Sequence, residues 1–81
     1  MTDIAIKHQA EQQLFVIEID NNQAVLEYGL QGDHVDFSRT YVPEALRGKG
    51  LAERLVRHGL LWAQAQQYQI TASCWYVKKF L

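Results

Sequence analysis

The spacing of apolar residues changes between residues 42 and 51 of this 81-residue chain, and the change constrains the fold. Up to residue 42, apolar and polar residues alternate, which is the period of a strand with one buried face. After residue 50, apolar residues recur every three or four positions, which is the period of an amphipathic helix. The pattern predicts an α+β domain in which one long helix lays its apolar stripe against a sheet.

Four antiparallel strands in a meander are predicted before the helix. The alternating segments are Ile4 to His8, Gln13 to Ile19, Gln23 to Leu30, and Val35 to Tyr41 with Val35, Phe37, Arg39 and Tyr41 on one face. Asp20-Asn21-Asn22 and Gln31-Gly32-Asp33 supply residues typical of tight turns, so they separate hairpin strands. Pro43 has no N–H to donate to a sheet, and the fourth strand should end before it.

The helical period extends from Leu51 to about Gln67. Gly59 lies on the apolar stripe, where it costs roughly 1 kcal/mol against alanine, so we expect a strand to approach it closely. Gln69 to Cys74 is predicted to be a fifth strand, and the helical crossover favours parallel pairing with the fourth. Trp75 to Leu81 is expected to form a short helical tail.

Composition and charge place the chain among ordinary globular proteins, with one domain over residues 1–81. The net charge of −1 mixes both signs, which disfavours a nucleic-acid partner. No apolar run reaches the roughly 20 residues that cross a bilayer, and Met1-Thr2-Asp3 does not resemble the start of a secretory signal. A cytoplasmic protein without a membrane partner is expected. Because so small a domain buries a modest core, dimerisation is one expected source of added stability.

Metal binding is not expected. The chain has one cysteine, Cys74, which excludes an internal disulfide. His8, His34 and His58 are scattered along the sequence, and no Cys/His group has the spacing of a zinc site.

Arg47-Gly48-Lys49-Gly50-Leu51-Ala52 is a basic, glycine-spaced segment that opens the predicted helix. Glycines let a backbone approach an anion, and the first turn of a helix presents unpaired N–H groups with partial positive charge. The segment therefore indicates a pyrophosphate site. It also fits a plain helix entry with tight turns and solvated basic side chains. A P-loop is disfavoured because Gly50, rather than serine or threonine, follows Gly48-Lys49.

Three segments together resemble the small single-domain branch of the GNAT superfamily of acyl-CoA-dependent N-acetyltransferases. They are Arg39-Thr40-Tyr41-Val42, Leu46 to Ala52, and Cys74-Trp75-Tyr76-Val77-Lys78. The acyl-CoA signature of the superfamily is Gln or Arg, two residues, Gly, one residue, then Gly or Ala, and residues 47–52 satisfy it. The resemblance covers nearly the whole chain and implies the GNAT-like form of the fold predicted above.

The resemblance also implies how acetyl-CoA, the expected co-substrate, would bind. Backbone N–H groups from Arg47 to Ala52 would hold the pyrophosphate, with added charge from Arg47 and Lys49. The pantetheine arm would bond to the main chain of Tyr41 and Val42 where the fourth and fifth strands diverge. A bulge in the fourth strand would aim a backbone N–H at the thioester carbonyl, which a neutral amine attacks directly.

Cys74 and Tyr76 are the candidate catalytic residues. The Cys74 thiol could act as a nucleophile, as a proton donor to the departing sulfur, or only as a small core side chain. The resemblance places Tyr76 where many acetyltransferases of the superfamily offer a phenolic proton to the thiolate. The competing interpretation is a packing aromatic in the tail.

Arg39 departs from the small branch, which usually has histidine there. Arginine stays protonated and cannot accept a proton, so Arg39 should either hold a substrate carboxylate or pair with Glu18 or Glu27. Glu44 is a candidate base acting through water, or a solvated turn residue. The predicted strands stop at the fifth, without the two further strands common in larger acetyltransferases, so we expect that a second copy could supply one edge of the substrate groove.

Two functions follow. The first is N-acetyltransfer to a small amine or a protein amine. The second is a non-catalytic module that binds acyl-CoA or a protein partner in the same cleft. Binding of acetyl-CoA without its consumption would favour the second.

Overall fold

A computed structural model describes residues 4–81 of the chain. Met1-Thr2-Asp3, from which the absence of a secretory signal was predicted, lie outside these residues. Within residues 4–81, no helix combines the length and apolar character needed to cross a membrane. No three His, Cys, Asp or Glu side chains converge to hold a metal ion in this part of the chain.

One five-stranded sheet, in the order β1-β2-β3-β4-β5, carries a long helix and a short C-terminal helix. The elements are β1 (Lys7–Gln9), β2 (Leu14–Ile19), β3 (Asn22–Gln31), β4 (His34–Tyr41), α1 (Leu51–Ala65), β5 (Gln69–Ala72) and α2 (Trp75–Lys78), with 3₁₀ turns at Ala10–Gln12 and Glu44–Leu46. Strands β1 to β4 pair antiparallel, and β5 pairs parallel to β4. This arrangement confirms the predicted GNAT-like α+β fold.

The first strand is shorter than predicted. Residues 4–6 lie outside β1, although Ile4 and Ile6 are partly buried against the core. Gln13 has a left-handed backbone (φ 57°), so the second strand begins at Leu14. The predicted turn after β2 is confirmed, with Asp20 and Asn21 at φ 52° and 66°. Two successive left-handed residues match the twist of a tight hairpin.

A β-bulge in β4 overturns part of the predicted strand pattern. Phe37 pairs with Tyr28 and Arg39 pairs with Glu27, so Ser38 is not paired in register with any residue of β3. One extra residue reverses the faces of all that follow it. Arg39 is therefore exposed on the face away from α1, and the prediction that it shares the face of Phe37 is wrong.

The same reversal applies to the end of β4. Tyr41, also predicted to lie on the face of Phe37, lies with Arg39 on the open face, 43% exposed. Thr40 pairs with buried Leu26 and turns toward the helix side instead. The bulge itself agrees with the resemblance to the superfamily.

Helix α1 packs on β2 to β5 through a buried stripe of Leu51, Leu55, Val56, Gly59, Leu60 and Ala63. A Cβ added at Gly59 would lie 2.8 Å from Leu26 Cδ2 and 3.0 Å from Phe37 Cε1. The predicted close approach at Gly59 is confirmed. The helix ends at Ala65 instead of Gln67, because Gln67 adopts a left-handed backbone with φ 63°.

Strand β5 ends at Ala72, two residues before the predicted end at Cys74. The Cys74 N–H still donates to Phe37 O at 3.1 Å, but Cys74 is the residue immediately before α2. The chain turns into α2 here, and buried Val77 anchors this helix in the core. Cys74 thus stands at a strand-to-helix junction.

Candidate functional site

A shallow groove of about 190 Å³ runs between the end of β4 and the start of α1. It is lined by Val42, Leu46, Arg47, Gly48, Gly50, Leu51, Ala52, Glu53 and Tyr76. All the residues predicted to bind the cofactor, except Tyr41 and Lys49, line this groove. Leu46 and Glu53 were not predicted. Leu46 is a buried apolar residue beside the glycine segment, and Glu53 lies in the first helical turn.

The glycine segment forms the groove wall at the helix start. Gly48 and Gly50 have left-handed backbones (φ 82° and 73°), which glycine adopts without a Cβ clash. Gly50 is the residue before α1, and no side chain of the described residues caps the helix. The N–H groups of the first turn have no acceptor within the helix. The segment therefore presents backbone donors and a partial positive charge to the groove.

The Arg47 amide differs from the others because it already has a partner. Its N–H donates to Glu44 O at 3.2 Å in the 3₁₀ turn. The prediction that the Arg47 amide joins the phosphate donors is therefore corrected, and the available run begins at Gly48. The Arg47 side chain donates from Nε to Val42 O at 3.1 Å. This bond ties the glycine segment to the end of β4.

One basic and one acidic side chain, Lys49 and Glu53, lie near the start of α1 and differ in their contacts. Lys49 is exposed next to the groove. The carboxylate of Glu53 accepts from Arg57 Nε at 2.7 Å, and both side chains are largely exposed. This i,i+4 pair draws the Glu53 charge toward Arg57.

Cys74 lies at the junction of β5 and α2 and is partly buried. Its Sγ is 3.6 Å from Thr40 Oγ1, the hydroxyl that the bulge turns inward. Burial raises the pKa of the thiol, but hydrogen bonds from the Val77 N–H, from Thr40 and from the Tyr76 N–H outweigh it. The net effect is a pKa below the usual value. Cys74 therefore has polar contacts as well as partial burial, which are compatible with each of its three predicted roles.

Tyr76 lines the groove with a partly buried ring. The ring packs against Phe80 at a centroid distance of 5.4 Å, and Lys79 Nζ lies 4.9 Å from its centroid. The structure thus places Tyr76 beside the start of α1, two residues after Cys74. Its packing contacts and its position in the groove are compatible with both predicted roles.

Arg39 lies on the open face of the sheet and donates to Glu27 Oε2 at 2.7 Å. Its guanidinium is also 5.1 Å from the ring centroid of Tyr41. Of the predicted alternatives, pairing with Glu27 is confirmed. Glu44 is exposed at the start of the 3₁₀ turn, where its carbonyl receives the Arg47 N–H.

Comparisons with known proteins identify relatives in sequence and in fold. The sequence profile described as GCN5-related N-acetyl-transferase matches residues 14–81. Protein NATD1 of Bos taurus is 31% identical over 81 residues, which cover 96% of this chain and 72% of that protein. Protein NATD1 of Danio rerio is 30% identical over 83 residues, covering 99% and 76%. A solution structure of a GCN5-like protein from Staphylococcus aureus has 25% identity and a TM-score of 0.74, covering 99% of this chain and 79% of that one.

Proposed function

This chain belongs to the GCN5-related N-acetyltransferase family, and from that premise we propose that it moves the acetyl group of acetyl-CoA to an amine by direct attack. The observation that carries the proposal is that three features of the site lie close together. An uncapped helix start with two left-handed glycines, a bulged strand and the Cys74 thiol surround the end of one parallel strand pair. These features supply an anion site, a carbonyl site and a proton donor.

The pyrophosphate would bind the N–H groups of residues 48–53, with Lys49 as a nearby positive charge. Arg47 would contribute through its side chain. In the structure, Arg47 Nε donates a hydrogen bond to Val42 O at 3.1 Å. Transfer of the guanidinium to a phosphate oxygen would strengthen its hydrogen bond and release the Val42 carbonyl. The main chain of Tyr41 and Val42 would then be free to pair with the pantetheine arm.

The thioester carbonyl would lie at the bulge. Ser38 is not paired in register with any residue of β3, so the backbone here can direct an N–H away from the sheet ladder. The nitrogen of a neutral amine attacks the carbonyl carbon, and the developing oxyanion is stabilised by that N–H. The C–S bond then breaks, the nitrogen loses its extra proton to solvent, and the coenzyme A thiolate takes a proton.

Cys74 is proposed as the donor of that proton. A thiol whose pKa lies below the usual value can donate to an ordinary thiolate. The Cys74 thiolate that remains is stabilised by N–H groups of α2 and by Thr40, and solvent reprotonates it. The Tyr76 hydroxyl is proposed as a second donor, held in the groove by the packing of its ring.

The experiment is calorimetric titration with acetyl-CoA, followed by mass spectrometry of products formed from a panel of amines. Binding and formation of acetylated amines support the proposal. Binding without turnover for any amine favours the non-catalytic module. An acetyl group trapped on Cys74 would replace direct attack with a covalent intermediate, and absence of binding would remove both functions.

A further inference from the structure

A second hollow, of about 320 Å³, lies on the open face of the sheet, on the side away from α1. It is lined by Gln13, Gly29, Leu30, Gln31, His34 and Asp36. Gly29 pairs directly with Asp36 across the strands, and a Cβ built on Gly29 would meet nothing within 4 Å. The missing side chain leaves the space above Asp36 open.

Asp36 is held by a chain of hydrogen bonds along the edge of this hollow. Ser73 Oγ donates to Asp36 Oδ2 at 2.7 Å, and Thr71 Oγ1 donates to Oδ1 at 2.8 Å. Because the Thr71 proton goes to Asp36, the Thr71 oxygen accepts from His34 Nε2 at 2.9 Å. Each carboxylate oxygen keeps a further lone pair. The network fixes the carboxylate in one orientation and leaves it able to accept from a ligand.

Within residues 4–81, no Lys or Arg side chain forms an ion pair with Asp36. The pKa of Asp36 is lowered, chiefly by the hydrogen bond from the Ser73 side chain, while burial acts in the opposite direction. The hydrogen bond from Thr71 and the positive charge of His34 lower the pKa further, so Asp36 is a carboxylate at neutral pH. Neither of the two ion pairs within residues 4–81 involves it. Glu27 on the same face differs, because Arg39 neutralises it at 2.7 Å.

The hollow lies close to the proposed reaction centre. Asp36 is two residues before the bulge at Ser38, or about 7 Å along an extended strand. Ser73, which bonds Asp36, directly precedes Cys74. A ligand held at Asp36 on the open face can therefore extend along β4 to the bulge.

We propose that this hollow binds a protonated amine of the acceptor, and that the acceptor is a small alkyl diamine whose other nitrogen is acetylated. An ammonium held by a fixed carboxylate keeps its proton and cannot attack a thioester. The reacting amine must then be a second nitrogen, and the separation of about 7 Å between Asp36 and the bulge suits a short alkyl chain. This inference rests on the proposed function, because it assigns the acceptor of that reaction.

The test is a titration of the ¹⁵N-labelled full chain with 1,4-diaminobutane at neutral pH, followed by amide chemical shifts. Saturable shifts at Gly29, Gln31, Asp36 and Thr71 are expected. Asp36→Asn keeps the size of the side chain and removes its charge, and it should weaken the apparent affinity about fivefold or more. Glu27→Gln, the matched carboxylate on the same face, should change the affinity less than about twofold.

Neutral 1,4-butanediol, which has the same chain length, should cause no saturable shifts at these amides. The inference is overturned if the diol and the diamine act alike, if the shifts lie elsewhere, or if Asp36→Asn binds as well as the original chain. Unaltered dispersion of the remaining amide signals shows that the variant is folded. Acetyl-CoA is absent from this titration, so its failure leaves the cofactor-binding test unaffected, and failure of the cofactor test does not alter this result.

Discussion

Replacement of Gly59 by alanine is expected to destabilise the fold, although alanine is the better helix former. The new Cβ would lie 2.8 Å from Leu26 Cδ2 and 3.0 Å from Phe37 Cε1, both in side chains with 0% exposure. Because both side chains are fully buried, either they must repack within the core or α1 must shift away from the sheet. Overpacking of this kind costs about 1–3 kcal/mol, and helix propensity returns up to about 1 kcal/mol. With the full return of about 1 kcal/mol, the net loss should be about 1 kcal/mol and at most about 2 kcal/mol.

Urea unfolding followed by circular dichroism measures this difference, and a loss of that size should lower the melting temperature by roughly 4–15 °C in so small a domain. Gly29→Ala is the control, since its Cβ meets nothing within 4 Å. It should change the free energy of unfolding by less than about 1 kcal/mol. Equal or greater stability of the Gly59→Ala protein would refute the argument that close packing, rather than chance, accounts for this glycine.

Three further outcomes are expected. Cys74→Ala should keep acetyl-CoA affinity within about twofold and lower turnover by about 10²-fold or more, measured as free coenzyme A released; unchanged turnover would return the thiol to a packing role. Tyr76→Phe should also keep affinity, because the ring remains, and lower turnover by a smaller factor; an equal turnover would assign Tyr76 to packing alone. Burial and then the charge of His58 lower the pKa of His8, so the folded state favours the neutral ring. The stability from His8 is complete above about pH 6.5 and is lost as the pH falls through its folded pKa, so the melting temperature should fall below pH 6.5 and should fall less in His8→Gln.

The order and type of the strands and helices could be predicted because the spacing of apolar residues indicates which face of each element is buried. Their ends were less predictable, since they depend on single backbone conformations. Gln13 and Gln67 both adopt left-handed backbones, although glutamine has no particular preference for this conformation. The β4 bulge had no signal in the alternation itself, although the resemblance implied it. It is the reason that Thr40 faces Cys74 while Arg39 and Tyr41 do not share the face of Phe37.

The candidate site was predictable where glycine spacing marks a helix start. The hydrogen bonds of Arg47, from its amide to Glu44 O and from its side chain to Val42 O, could not be predicted. Both depend on the three-dimensional course of the 3₁₀ turn. No sequence motif marks Asp36 as a candidate binding residue. Its partner residues Thr71 and Ser73 lie more than 30 positions away and are brought together only by parallel pairing of β4 and β5.

The most direct measurement of the central claim is amide chemical-shift mapping of the ¹⁵N-labelled protein during titration with acetyl-CoA. The largest downfield shifts are expected at the N–H groups of Gly48 to Glu53. Gly50→Asp should abolish them, because it places a carboxylate against the diphosphate while the fold is kept. Saturable binding that leaves these amides unshifted, or that survives in the Gly50→Asp protein with equal affinity, would contradict the central claim.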